Sequence, residues 1–564
     1  DPLGLDDDEA GQPDADDDDG GIDVKQTRRL QPSSLGFTAF VHKDCPHIDI
    51  DLRYADYIAQ PPIPEDILEG SMARPKGEIS WHRKPNLVTY QIKRAHLERA
   101  ATGVTVPLSL DGTTSPQRRG GALELQIIVH DAKLPRPKPR ADWDSVWAVS
   151  LFIVNKRAAS ERFRDVSNVF QVGFTARAAK PGFIGSPDMS GYASDDEDLR
   201  IHDLHYRDVL KFAGGRNTGI GHSKPDGDYA LEIWTDPLPT SDVKKVDQNK
   251  ALSEITTFGM AALEALANDP DKLAAELSKF PANYALFIQS QMDDAQNVQD
   301  QSQLKTAQDL VAAQRESQKR MEEGIAFLKL NRKGRESFKI MNRVIREALE
   351  RRIKGVEIAW RPFQMAFILQ NIVGLSDPTN EDRKIVDLLF FPTGGGKTEA
   401  YLGLAAYQIA FRRLSNDDWM GSGVSVIMRY TLRLLTLDQL DRAAAMICAF
   451  EMLRKSPEWQ DQHNLPKLGN APIEIGLWVG STATPNKIGD PNKTDSSGKT
   501  AITMVKKFRL KNGQAPAPIK KCPWCETPFT KETFEVVGNR MHIHCSDIMC
   551  DFGGDNPLPI LAVD

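Results

Sequence analysis

At 564 residues the chain exceeds what one hydrophobic core serves, so about three or four domains are expected at roughly 150 residues each. Hydrophobic residues make up 40% and charged residues 26%, the balance of a soluble protein, and no apolar run approaches the roughly 20 residues of a membrane span, which excludes a membrane-embedded reading. The net charge of -7 is an uneven average: the first 21 residues hold ten carboxylates and no basic side chain, and without them 71 basic residues face 68 acidic ones, so a nucleic-acid groove is not excluded.

In chain order, the tail over 1–21 repels itself and is expected to be disordered. It begins acidic, with no basic-then-apolar signal segment, which predicts a cytoplasmic protein. A Pro-rich, mixed stretch runs to about Lys76. ALELQIIVHDA from Ala122, SVWAVSLFIVNK from Ser145 and VSNVFQVGFTA from Val166 are rich in β-branched and aromatic residues and bounded by turn residues or charges. They predict a mainly β accessory domain over 22–245. Between the first two, the prolines of KLPRPKPRADW favour an extended basic loop. SPDMSGYASDDEDLR from Ser186 to Arg200 has loop composition, with four carboxylates from Asp195 to Asp198. It reads as a solvated loop or as a phosphate mimic able to lie in a basic groove of the same protein.

From 246 to 355 apolar residues recur at spacings of three and four, as in ALSEITTFGMAALEALA, predicting a helical region. Its end, NRKGRESFKIMNRVIREALERRIK, is strongly basic, either a solvated helix face or a DNA-facing arm.

The stretch DLLFFPTGGGKTEAYLGL from Asp387 places an apolar strand (Leu388 to Phe391) before a glycine loop and a helix. This is the layout of GxxxxGK[ST], in which backbone amides wrap phosphate and the helix N-terminus faces the same anion. Thr393, Gly394, Gly395 and Gly396 form the loop. Lys397 reaches the β/γ-phosphates of ATP, and Thr398 offers its hydroxyl to Mg²⁺. Phe391 replaces the leading Gly, the form that resembles superfamily 2 helicases. A second GKT, at Gly498, has no strand before it and is set aside.

Upstream, WRPFQMAFILQN from Trp360 resembles an adenine-reading Q motif. Gln364 presents a donor and an acceptor to the adenine edge, Trp360 or Phe363 stacks on the ring, and Arg361 lies nearby. An amphipathic helix explains the same residues. Downstream, VSVIMRYTLRLLTLDQ from Val424 has the strand, R-x-T-x-R and helix of a strand-holding motif, with Arg429, Thr431 and Arg433 (and Thr436) as DNA-backbone contacts, against ordinary surface arginines. IEIGLWVGSTATPN from Ile473 predicts the neighbouring strand of the sheet.

Cys45 and Cys448 stand alone. Cys522, Cys525, Cys545 and Cys550 form two close pairs about 20 residues apart, the pattern of a tetrahedral Cys₄ zinc ribbon over 520–553. No βαβ pattern surrounds them, which argues against a redox pair, and four thiolates leave no open position, so the Zn²⁺ is structural. His542 and His544 are secondary ligand candidates.

Together, WRPFQMAFILQN, VDLLFFPTGGGKTEAYLGLAAY, MRYTLRLLTLDQ, GLWVG and the inserted CxxC ribbon resemble the DrmA family, superfamily 2 helicase-like proteins of the DISARM anti-phage defence system. The resemblance is concentrated between Ile358 and Cys550. It implies an incomplete RecA-like P-loop domain with a parallel sheet over 356–564, hence an α/β multidomain protein. The implied activity is that of an ATP-dependent DNA helicase or translocase of bacterial defence. It binds single-stranded DNA, or duplex DNA with a single-stranded end, beside a DrmB-like partner. A nucleotide-switched scaffold that docks a partner without translocating is the alternative. No DE box follows the loop except for a half-formed LPILAVD ending at Asp564. The chain is therefore expected to be the N-terminal portion of a longer protein and to hydrolyse ATP hardly at all by itself.

Overall fold

The computed structural model describes residues 32–60, 63, 79–109, 123–133, 143–157, 167–188, 194–240, 242, 250–391, 394–416, 418–429, 433–460, 467–477, 484–485, 487–491, 495, 498–510 and 513–562. The acidic tail, most of the Pro-rich loop after Lys133, Thr393, Thr431 and Asp564 lie outside the described residues. The chain divides into two compact units, one comprising 1–244 with 299–306 and the other 245–298 with 307–564.

The first unit is antiparallel β structure. One sheet runs β13 (Tyr229–Ala230), β8 (Phe183–Ile184), β1 (Ser34–His42), β6 (Val146–Asn155), β5 (Leu123–Asp131), β4 (Val106–Ser109), with β11 (Ala213–Arg216) also paired to β1. The other runs β12 (Gly219–His222), β14 (Glu232–Asp236), β7 (Phe170–Ala178), β2 (His47–Gln60), β3 (Ser80–Lys93). Both sheets feed one core, where Phe37 of β1 stacks on Phe174 of β7 with ring centroids 5.1 Å apart. The strands expected after Ala122, Ser145 and Val166 are β5, β6 and β7. Strand β2 lies inside the stretch read as Pro-rich and mixed. It forms because HIDIDLRY alternates, putting Ile48, Ile50, Leu52 and Tyr54 on one buried face. Pro85 is tolerated because β3 is an edge strand.

The acidic segment differs from a plain loop. Ser186–Pro187 is β9, paired with β10 (Leu210–Lys211), and Asp196 caps the helix Glu197–His205, accepting from the amides of Asp198 (2.9 Å) and Leu199 (3.3 Å). Glu197 and Asp198 occupy the first turn, where the helix dipole favours carboxylates, so part of the acidic run is a helix start.

In the second unit the helices Lys250–Ile255, Met260–Leu266, Pro270–Ala295, Arg332–Arg352 and most of Gln301–Leu330 share one core with the chain beyond 356, including the cysteine hairpin. Among the described residues the one parallel ladder between strands here is β15 (Ile475–Gly476) with β18 (Ile560–Leu561), the segments quoted above as IEIGLWVG and LPILAVD, beside a single parallel bridge of Cys545 with Gly553. The buried strand expected at Leu388 to Phe391 is instead an extended segment without a ladder partner, and Val386, Leu388 and Phe390 are 93%, 85% and 89% exposed. The segment from Val424 is likewise extended and unpaired, with Val424 and Ile427 exposed. A parallel strand is buried only when neighbours pair with its edges and helices cover its faces, and among the described residues neither segment has a strand beside it.

Candidate functional site

The glycine loop leads into the helix Lys397–Ser415. Gly396, with φ of 86°, is its N-cap, and among the described residues no side chain caps the first-turn amides. A Cβ at Gly396 would stand 2.9 Å from Gln364 Nε2, which together with the positive φ requires glycine there. Gly394 also has positive φ, at 79°.

Three donors grip the loop's carbonyls. Lys397 Nζ donates to the Phe391 carbonyl, Arg361 donates to the Gly395 carbonyl at 2.7 Å, and Gln364 Nε2 donates to the Gly396 carbonyl at 2.7 Å. Gln364 Oε1 accepts from the Arg361 amide, also at 2.7 Å, and the side chain is 3% exposed. Both ends of this amide are therefore engaged by protein backbone. Thr398 follows Lys397 on the helix, half-buried. Glu399, in the first turn, pairs with Arg442 of the helix Arg433–Lys455.

The candidate aromatic residues divide. Trp360 is 1% exposed, donates its indole N–H to Asn342 Oδ1 at 2.8 Å and packs so closely on Gly403 that a Cβ there would lie 2.7 Å from the ring. It is a core residue with no face open to a ligand, because Asn342 and Gly403 enclose the ring. Phe363 is half-buried and stacks on Phe391 at 3.9 Å, which joins the Gln364 helix to the start of the loop.

A further contact was not read from the sequence. Arg320, its side chain 9% exposed, holds Asp387 through two bonds of 2.8 and 2.9 Å and also donates to the Gln370 carbonyl. The Asp387 carboxylate holds the guanidinium charged, pushing its pKa further up. Asp387 opens the apolar segment before the loop, so this pair ties the loop's lead to the helix Gln301–Leu330. A charge standing directly before the run LLFF was its only sequence signal. Arg429 is exposed on the segment from Val424 and, among the described residues, makes no hydrogen bond or ion pair with the loop; Arg433 begins a helix, and its side chain lies outside the described residues.

The four cysteines do converge. Cys522, Cys525, Cys545 and Cys550 place their sulfur atoms within 4.8 Å of one another. Cys522 and Cys525 flank a tight turn, while Cys545 follows the hairpin β16 (Phe534–Val537) and β17 (Arg540–Ile543), whose tip is Gly538 with φ of 59°. Burial raises the Cys522 thiol far above its ordinary value and pushes Cys550 up to about 12. At Cys525 burial works against ionisation, yet hydrogen bonds from Thr527 and neighbouring thiols lower it to about 7. Four sulfur donors converging in this way suit a tetrahedral metal such as zinc. Among the described residues neither His542 nor His544 joins the cluster. Cys448, outside the cluster, is buried on the helix Arg433–Lys455, and burial raises its thiol well above the ordinary value.

A glycine loop with an adjoining lysine at an uncapped helix N-terminus has the make-up of an anion-binding α/β site. No known family model matches the chain. The DISARM protein DrmA of Bacillus paralicheniformis is 26% identical over 566 residues, an alignment covering 94% of this chain and 45% of that protein. The chain is thus DrmA-like along nearly its whole length, beyond the Ile358–Cys550 region where the motifs cluster, and it spans less than half the length of that relative. No described helix is long and apolar enough to cross a membrane.

Proposed function

We propose that the chain is the nucleotide-binding, helicase-like part of a bacterial anti-phage defence protein that acts on DNA. The observation carrying this reading is the arrangement around Lys397: two positive-φ glycines, an uncapped helix N-terminus, and donors that hold the loop by its own carbonyls. A triphosphate would take Lys397 from the Phe391 carbonyl and fill the first-turn amides. Thr398 would supply an oxygen to Mg²⁺, with Gly394, Gly395 and Thr393 forming the cradle. Of the two aromatic candidates Phe363 is the one with ring surface near the loop, and Gln364 would exchange a backbone carbonyl for an adenine edge. DNA, through Arg429, Thr431 and Arg433, and a DrmB-like partner enter by similarity to a DISARM component. Zinc in the four-cysteine site would be structural, since no coordination position is left for water.

The test is nucleotide binding by the parent chain and by Lys397→Ala. Loss of binding of at least about tenfold with unchanged unfolding is expected, as for removal of a phosphate-pairing charge. Equal binding refutes the reading. Strand displacement by the longer protein then separates translocation from a nucleotide-switched scaffold, which would bind ATP and leave DNA strands paired.

A further inference from the structure

The strongly basic helix Arg332–Arg352 lines a cleft of about 950 Å³ together with the helix Met260–Leu266, Trp459 and Lys467. Arg332, Glu336, Lys339, Arg343 and Arg346 recur at spacings of four and three, so one helix face looks into the cleft while Phe338, Met341, Ile345 and Ala348 face the core.

The cations there fall into two sets. Arg343 is paired with Glu458 at 2.6 Å and Glu347 at 2.9 Å, and Arg346 with Glu264 at 2.9 Å and Glu350 at 3.2 Å. The bonds to Glu458 and Glu264 fasten the helix to the cleft's other walls, while Glu347 and Glu350 pair within the helix itself. Arg332, Lys333, Lys339 and Lys467 make no ion pair with a described carboxylate. Lys339 donates to the neutral Asn268 Oδ1 at 2.7 Å, and Lys467 lies 5.9 Å from the centre of the Trp459 ring. Glu336 is the one carboxylate of the lining outside any recorded ion pair among the described residues, so the mouth is left with excess positive charge. Arg332 and Lys333 also occupy the helix's first turn, which contains no acid, where the helix dipole disfavours cations. A polyanion laid along the cleft would offset that cost.

We propose that this cleft binds the phosphodiester backbone of DNA without reading its sequence. The helix cations without a carboxylate partner, Arg332 to Lys339, span about 10 Å at about 1.5 Å per residue, the length of about three phosphates of a B-form strand, and Lys467 adds a fourth cation to the lining. A compact phosphate ester would use only part of that row. Trp459 is 7% exposed, so this aromatic ring offers bases no stacking surface. The inference rests on DNA being the chain's partner and is independent of nucleotide at the glycine loop.

Fluorescence anisotropy with a labelled mixed-sequence single-stranded DNA, across about 50 to 200 mM salt, tests it. The parent should show a steep linear fall of log K with log salt. The combined variant Arg332→Ala, Lys333→Ala, Lys339→Ala and Lys467→Ala should lose up to about 3 from that slope, at about 0.7 per phosphate contact. A control removing four cations with carboxylate partners, Lys272, Lys279, Lys319 and Lys329, should keep the slope. Thermal unfolding checks that each variant is folded. An unchanged slope in the cleft variant, with DNA still bound, overturns the cleft while leaving the DNA reading intact. No DNA binding by the parent overturns both. Binding of inorganic tripolyphosphate that needs these four residues, with no DNA effect, overturns the choice of ligand.

Discussion

Gln364→Glu changes one atom of the loop's brace and turns it into a pH-dependent element. In the parent, Oε1 accepts from the Arg361 amide and Nε2 donates to the Gly396 carbonyl, both at 2.7 Å. An ionised glutamate keeps the first bond but sets a carboxylate oxygen against the Gly396 carbonyl, in a position 3% exposed. The acid form can donate and restores the pattern, so the folded-state pKa of the new side chain rises above its unfolded value near 4.3. A raised acid pKa means that the folded state binds more protons. Stability relative to the parent is then highest below about pH 4.3, falls as pH climbs towards the raised value, and is level above it. A rise of about two pKa units corresponds to about 2.7 kcal/mol lost at the plateau, comparable with the roughly 1–3 kcal/mol of a buried carbonyl left without its donor. The assay is urea unfolding of parent and variant at matched pH from about 4.5 to 8, with Gln364→Leu as a control whose deficit does not titrate. A Gln364→Glu deficit equal at both ends of that range would mean that the side chain is not held against Gly396, and the account of the loop would fall with it.

Two further outcomes follow from the same geometry. Arg320→Ala and Asp387→Ala should each destabilise the second unit by about 2–3 kcal/mol, below the range for fully buried pairs because Asp387 is 22% exposed. Their double-mutant cycle should return a coupling of at least about 1 kcal/mol in urea unfolding, and a coupling near zero would remove the tie between loop lead and helix. For the cysteine cluster, metal analysis should give about one zinc per chain, lost in Cys545→Ala. Metal affinity should fall as pH falls, because Cys522 and Cys550 must surrender protons held above the ordinary thiol range. Less than about half an equivalent of metal in the parent would count against the site.

What the sequence discloses depends on whether the deciding interaction is local. Strands β5, β6 and β7 were legible because each run is self-contained, and the cysteine cluster because ligand spacing is itself the geometry. Strand β2 was equally periodic, but its proline-rich surroundings hid the alternation of Ile48, Ile50, Leu52 and Tyr54. The carboxylates at Asp195 to Asp198 were read by charge alone, and the capping geometry of Asp196 became visible only with the backbone turn that aims it at two amides.

Around the glycine loop, residue types were legible and their partners were not. Trp360 and Phe363 both suited ring stacking on paper; the choice between them was made by Asn342, 18 positions upstream, which claims the Trp360 indole and leaves Phe363 to lie on Phe391. The apolar runs at Leu388 and Val424 make the same point from the other side. Their composition states that they belong in a parallel sheet, yet composition names no neighbour, and the described chain holds them extended with Leu388, Phe390 and Ile427 open to solvent. Arg320 then gains a clear physical role: with no ladder among the described residues holding the segment that begins at Asp387, a two-bond guanidinium grip on that carboxylate at one end, and the Phe363–Phe391 stack and the Lys397 bond to the Phe391 carbonyl at the other, hold it against the helical core. A strand laid beside Leu388 would add ladder bonds to that grip, so the coupling between Arg320 and Asp387 matters most while the ladder is absent.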